Sequence, residues 1–190
     1  AALWLLLAGI ASAQLAYQSY PDFIAGATDI VSGKVVSTSA HWGVHGRIFT
    51  DVTVEITSTA KGNAQKANST LTFTVLGGQI DKLKLLASEL PTFKTGDEAV
   101  LYLNNHHGTK YGIYGGFRGK VSIITSSGTG AKSVVVEPEV AKAVTEKKAK
   151  SSKAGSASAA TSSDGSVPLD DYLDYVRGIV AQQEAENTAK

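Results

Sequence analysis

The ten residues from Ile48 to Thr57, within GRIFTDVTVEITSTAKG, alternate without a fault. Ile48, Thr50, Val52, Val54 and Ile56 fall on one side of an extended chain, and Phe49, Asp51, Thr53, Glu55 and Thr57 fall on the other. A period of two held this long excludes a helix and makes a half-buried β-strand. Such a strand can serve both halves of a coiled sheet, which points to a small barrel. Lys61-Gly62-Asn63 then turns the chain.

Further strands flank this one. TDIVSGKVVSTS is rich in β-branched residues, and STLTFTVLGG places Leu71, Phe73 and Val75 on one face before a glycine pair. DKLKLLAS reads as an edge strand guarded by Lys82 and Lys84. LPTFKTGDEAVLYLNN turns at Thr95-Gly96-Asp97 and then runs as a strand through Leu103. KYGIYGGFRGKVSIIT supplies one or two more, with Gly115, Gly116 and Gly119 marking a bulge or sharp bend. SYPDFIAGA reads as a short helix, with Ser19 as N-cap and Pro21 in the first turn. Some six or seven short strands and little helix predict an all-β chain: a small closed or partly open barrel behind a short N-terminal helix.

Composition changes at both ends. AALWLLLAGIASAQ is an apolar run, too short to span a bilayer, that ends in the small residues Ala11-Ser12-Ala13. We read residues 1–13 as a signal peptide whose basic start lies upstream, with maturation near Gln14 and a secreted or periplasmic product. The barrel domain is expected over residues 14–140. Residues 141–166 are rich in Ala, Ser and Lys and read as a low-complexity linker, with some helix near Val140–Lys150. Residues 167–186 are expected to form a C-terminal amphipathic helix. Its acidic first turn suits the helix dipole, and Leu169, Tyr172, Leu173, Val176, Ile179 and Val180 make one apolar stripe. That stripe would cover the chain's own barrel or reach a neighbour.

The pattern ATDIVSGKVV, an aromatic-containing loop, GRIFTDVTVEITSTAKG, LTFTVLGGQ, LPTFKTGDEAVLYL, YGIYGGFRGKVSI and the closing PLDDYL resembles a group of uncharacterised exported bacterial β-barrel proteins. More distantly, DIVSGKVV, the Lys61-Gly62 turn and GDEAVLYL resemble the netrin-like modules, the OB-fold barrels of tissue inhibitors of metalloproteinases and complement C-terminal domains. The resemblance implies an OB-like (netrin-like) fold and a binding habit, with protease inhibition as the named possibility. Those inhibitors chelate zinc through an N-terminal cysteine, and this chain has no cysteine to carry that role.

The missing cysteines also remove disulfides, thiolate metal ligands and a cysteine nucleophile. A formal net charge of +1 gives no global field for nucleic acid, so no nucleic-acid partner is expected. Residues 14–140 carry 11 Lys and Arg against 10 Asp and Glu, and 141–190 carry 7 against 7, so neither part is a basic module. Arg118 and Lys120 beside Phe117, Tyr111 and Tyr114 read as an ordinary outward-facing strand. SSGTGAKS lacks the Gly-Lys-Ser/Thr of a phosphate loop, and no G-x-S-x-G elbow occurs. Asp51 and Glu55 lie about 13 Å apart by strand rise, too far for a catalytic carboxylate pair.

Four histidines remain: His41 and His45 before the alternating strand, and His106 and His107 after AVLYLNN. On an OB-like barrel these two loops would share a rim, where imidazoles could converge on a metal. Gly43 and Gly46 argue for a loop rather than a helix around His41 and His45, and no zincin-type Glu accompanies them, so solvated loop histidines are the plainer reading. Trp42, between them, would either cover the barrel end or stand exposed as a contact anchor. The sequence thus predicts an exported, non-catalytic binding module, without cofactor or stable membrane span. It would contact a protein or peptide through rim residues Trp42, His41, His45, His106 and His107. Its alternatives are a metal-binding protein using those histidines and an assembly subunit tethered by its last helix. The sequence leaves the oligomeric state open.

Overall fold

A computed structural model describes residues 18–63, 67–106, 110–151 and 165–189. The leader-like residues 1–13, residues 152–164 of the stretch read as linker and His107 lie outside the described residues. The first element among the described residues is helix α1 (Tyr20–Gly26), whose Ser19 hydroxyl accepts from the Asp22 N–H at 3.3 Å while Pro21 sits in the first turn. Strands β1 (Asp29–Trp42) and β2 (Ile48–Lys61) follow as a long antiparallel hairpin. β3 (Thr70–Leu76) pairs with β2, and β4 (Gly78–Ile80) and β5 (Leu83–Leu85) form a separate two-stranded ribbon. β6 (Glu98–His106) pairs with the first half of β1, Asp29 opposite Leu103 and Lys34 opposite Glu98.

β7 (Lys110–Ile113) hairpins back on β6 and meets β3 in parallel through Phe73 and Tyr111. The order β1-β2-β3-β7-β6 therefore returns to β1 and closes a five-strand barrel. Three register shifts in β1 give the coiling that closure requires. Gly33 permits a close approach of β1 to β2, since a Cβ there would lie 2.5 Å from the Glu55 carbonyl oxygen.

A 3-10 turn at Gly116–Gly119 interrupts the strand after β7. Gly115 and Gly116 hold φ of 70° and 61°, the left-handed region that favours glycine. β8 (Lys120–Thr125) then resumes beside β6, and β9 (Lys132–Val135) and β10 (Ser166–Pro168) carry the sheet away from the barrel. Helices α2 (Pro138–Ser151) and α3 (Leu169–Thr188) pack over this extension.

Two cores result. Val31, Val52, Val54, Ile56, Phe73 and Leu101 fill the barrel, with Val35, Leu71, Val75, Ala99 and Leu103. Outside it, Ile30, Val100, Tyr102 and Val134 meet Phe23 and Ile24 of α1, Val140 and Val144 of α2, and Tyr172, Leu173, Val176 and Val180 of α3. Both faces of β6 are thus covered. That is why AVLYL is an unbroken apolar run rather than an alternating one.

Two expectations change. The chain is not a linker from residue 141, because α2 extends to Ser151 and buries Val140, Ala141 and Val144. Two valines four apart, with an alanine beside the first, are enough to seat a helix that the surrounding Ala, Ser and Lys already favour. The stripe on α3 is also committed to its own chain. Arg177 donates to the Ser58 hydroxyl of β2 at 2.6 Å, and Lys148 of α2 reaches Asp171 at 2.7 Å.

Candidate binding site at the barrel mouth

Of the 14 residues of β1, only those up to Lys34 pair with β6, so the outer half of the β1–β2 hairpin projects past the barrel. Its tip is Gly43–Arg47, where His45 (φ 58°) and Gly46 (φ 65°) reverse the chain and Gly43 N–H donates to the Arg47 carbonyl at 2.8 Å. The β4–β5 ribbon projects alongside. Gly77 N–H donates to the Ile48 carbonyl at 2.8 Å, and Gly78 is seated against Ala40, Ile48 and Thr50. Cross-strand partners share a face, so Ala40 and Trp42, opposite Thr50 and Ile48, line the side turned toward this ribbon.

Residues 86–97 cross the open end of the barrel. Phe93 closes on Phe73 edge-to-face at 5.2 Å. Lys120 fastens the segment: its ammonium lies 4.7 Å over the Phe93 ring and donates to the Thr92 carbonyl at 2.8 Å and to the Asp97 carboxylate at 2.7 Å. Burial pushes the Asp97 carboxyl upward, but the Lys120 hydrogen bond, the Lys94 backbone N–H and both lysine charges outweigh it and hold it below the usual carboxylate range.

Two hollows remain at this mouth. One, of about 740 Å³, is open and lies between Leu76, Glu89, Leu90 and the Gly116–Arg118 turn. The other, of about 110 Å³, lies between Thr50, Gly78, Leu85 and Pro91. Both are bounded by Leu76, Ala87 and Leu90, so they form neighbouring parts of one groove.

The histidines do not converge. His41 is a strand residue rather than a loop residue, stacked on Phe49 with its Nε2 3.4 Å from the Asp51 carboxylate, which also accepts from Thr74 at 2.6 Å. His45 occupies the hairpin tip. His106 ends β6, and Asn105 N–H donates to the Thr28 hydroxyl at 2.8 Å just ahead of β1. The two histidine positions therefore sit at opposite ends of β1, some 40 Å apart along the strand. The rim expected to hold His41, His45, His106 and His107 together is not what the register gives for His41, His45 and His106, because β6 runs antiparallel to β1 and its far end lies beside α1, and His107 lies outside the described residues. Among the described residues no three His, Cys, Asp or Glu side chains gather as metal ligands.

Trp42 stands half exposed at the end of β1, beside the more exposed Val44. Leu83, Leu86 and Phe117 join it at the mouth. Phe117 reads in the sequence as part of an ordinary outward-facing strand, and the only local signal of Leu83 and Leu86 is DKLKLLAS, which carries more leucine than a two-faced edge strand needs. Among the described residues no helix is long and apolar enough to cross a membrane. No protein family, curated protein or solved structure matches the chain.

Proposed function

We propose that this chain is an exported, non-catalytic binding module on an OB-like (netrin-like) barrel, and that it takes a protein or peptide partner at the barrel mouth. One observation carries the reading. Of eight conspicuously exposed large hydrophobic side chains among the described residues, five (Trp42, Val44, Leu83, Leu86 and Phe117) belong to the mouth. Water-exposed apolar side chains gathered at one end of a molecule, around a groove, are the usual mark of an interaction surface, and tryptophan is the commonest anchor of such surfaces. A barrel closed between its first and fourth strands, with the third and fifth parallel, supports the OB-like assignment. The apolar run ending at Ala11-Ser12-Ala13 and the lack of cysteine-dependent chemistry support export of a binding protein. His41 and His45 flank the proposed surface. His106, at the far end of β6, is left out of it by its position.

A chain beginning at Gln14 contains Trp42 as its single tryptophan, because Trp4 precedes it. Peptides selected from a random displayed library should shift Trp42 fluorescence to the blue. Trp42→Ala and Leu86→Asp should each weaken them tenfold or more, about 1.4 kcal/mol. Val135→Ala, on β9 outside the barrel, should leave them unchanged. Peptides that bind both mouth variants as tightly as the wild type, or a library that yields none, would overturn the reading.

A further inference from the structure

Beyond Lys34, β1 has one neighbouring strand instead of two. The last backbone bonds on its β6 side among the described residues are Val35 N–H to the Asp97 carbonyl and Gly96 N–H to the Val35 carbonyl, both 2.8 Å. From Ser37 to Trp42 the strand is paired only with β2, with Val36 left over at a register shift, and every residue from Val36 to Trp42 but the half-buried Ala40 is exposed. The hydrogen-bond phase is fixed by two bonds. Gly43 N–H goes to the Arg47 carbonyl, and Gly77 N–H takes the Ile48 carbonyl, which turns Ile48 toward β3 and Phe49 toward β1. Antiparallel ladders alternate, so Ser37, Ser39 and His41 bond β2, while the N–H and C=O groups of Thr38, Ala40 and Trp42 face outward. Among the described residues the one hydrogen bond to them is local, between His41 Nδ1 and the Trp42 carbonyl at 3.3 Å.

Natural sheets guard such an edge with lysine, proline, a bulge or a covering element. Val36-Ser37-Thr38-Ser39-Ala40-His41-Trp42 has no lysine, no proline and no carboxylate, and its one irregularity, at Val36, leaves the run from Ser37 to Trp42 regular. An uncharged edge meets a copy of itself without repulsion. We infer that a second copy of this chain docks here, strand to strand and antiparallel, about a two-fold axis at Ala40.

In that register Ala40 faces its own symmetry mate, Thr38 faces Trp42 of the other copy, and Ser39 faces His41. All the outward groups of both edges then find partners, about six hydrogen bonds across the axis. The smallest side chain of the stretch sits on the axis, beside its own symmetry mate, and each half-exposed tryptophan gains a neighbour. The two hairpins become one continuous sheet, β3-β2-β1 joined to its mate. This goes beyond the peptide-binding reading, which concerns the groove and not the strand edge.

Sedimentation of the full chain from low micromolar to near-millimolar concentration tests it. The wild type should pass from the mass of one chain toward that of two. Ala40→Pro should remain at one, because its N–H points out of the fold and proline is tolerated at such an edge position. Ser39→Lys should do the same, by placing a lysine from each copy beside the axis, while in the single chain it faces Asp51 of β2. Far-UV circular dichroism identifies a variant that has not folded, and the other then decides. A wild type of one-chain mass throughout, or folded variants that associate as the wild type does, would overturn the inference and leave peptide capture at the groove unaffected.

Discussion

Three phenols meet where α1, β6 and α3 come together. Tyr20 and Tyr102 hydroxyls lie 2.7 Å apart, Tyr102 and Tyr172 2.8 Å apart, and Tyr20 also bonds Tyr172, so each hydroxyl can donate once and accept once around a ring. Burial pushes all three above their ordinary value, Tyr102 and Tyr172 most strongly. A raised folded-state pKa means that the folded chain holds its protons more tightly than the unfolded one. The ring's contribution is therefore complete below about pH 10, the unfolded value, and is lost as pH rises above it. Denaturant titrations at stepped pH should show stability falling above pH 10 in the wild type and falling less steeply in Tyr102→Phe. At neutral pH each single Phe substitution should cost about 1–3 kcal/mol, because two buried hydroxyls lose a partner, while the triple substitution should cost less than the sum. The sequence displayed Tyr172 only as one member of a helical stripe. Nothing local could have joined it to residues 70 and 152 positions away.

Elements whose neighbours lie on one side were legible. β2 shows its alternation because only one of its faces is in the barrel, and α3 shows its stripe because only one of its faces is covered. β6 was recognisable as a strand but not as the divider of two cores, since an unbroken apolar run says only that nothing on it meets water. α2 was legible as helix near Val140–Lys150 but not as a packed element, because its buried face is small, and Trp42 was the only large apolar member of the mouth that stood out. The rest of the mouth depends on which segments the barrel brings together. α3 makes a sharp prediction of its own. Burying Tyr172, Leu173, Val176 and Val180 contributes about 6–10 kcal/mol, comparable to the whole stability of an ordinary domain. A chain ending at Pro168 should therefore lose cooperative unfolding and bind hydrophobic dyes, as seen by calorimetry and dye fluorescence.

At the scale of the molecule, β6 makes the two cores interdependent. Ala99, Leu101 and Leu103 point into the barrel while Val100 and Tyr102 point into the helical layer, so neither core can lose its strand alone. Near-ultraviolet dichroism of the buried tyrosines and far-ultraviolet dichroism of the sheet should trace one coincident guanidinium transition. Two separated transitions would mean that the barrel stands without its helices. The shared strand also limits how such a chain can diversify. A helical cap exchanged between two barrels of this kind has to bring with it the outward side chains of the strand beneath, Val100 and Tyr102 together with Ile30. Recombination that cuts between barrel and helices would therefore yield hybrids whose halves no longer fit, and successful variation should concentrate in the hairpin tip and the β4–β5 ribbon, which neither core uses.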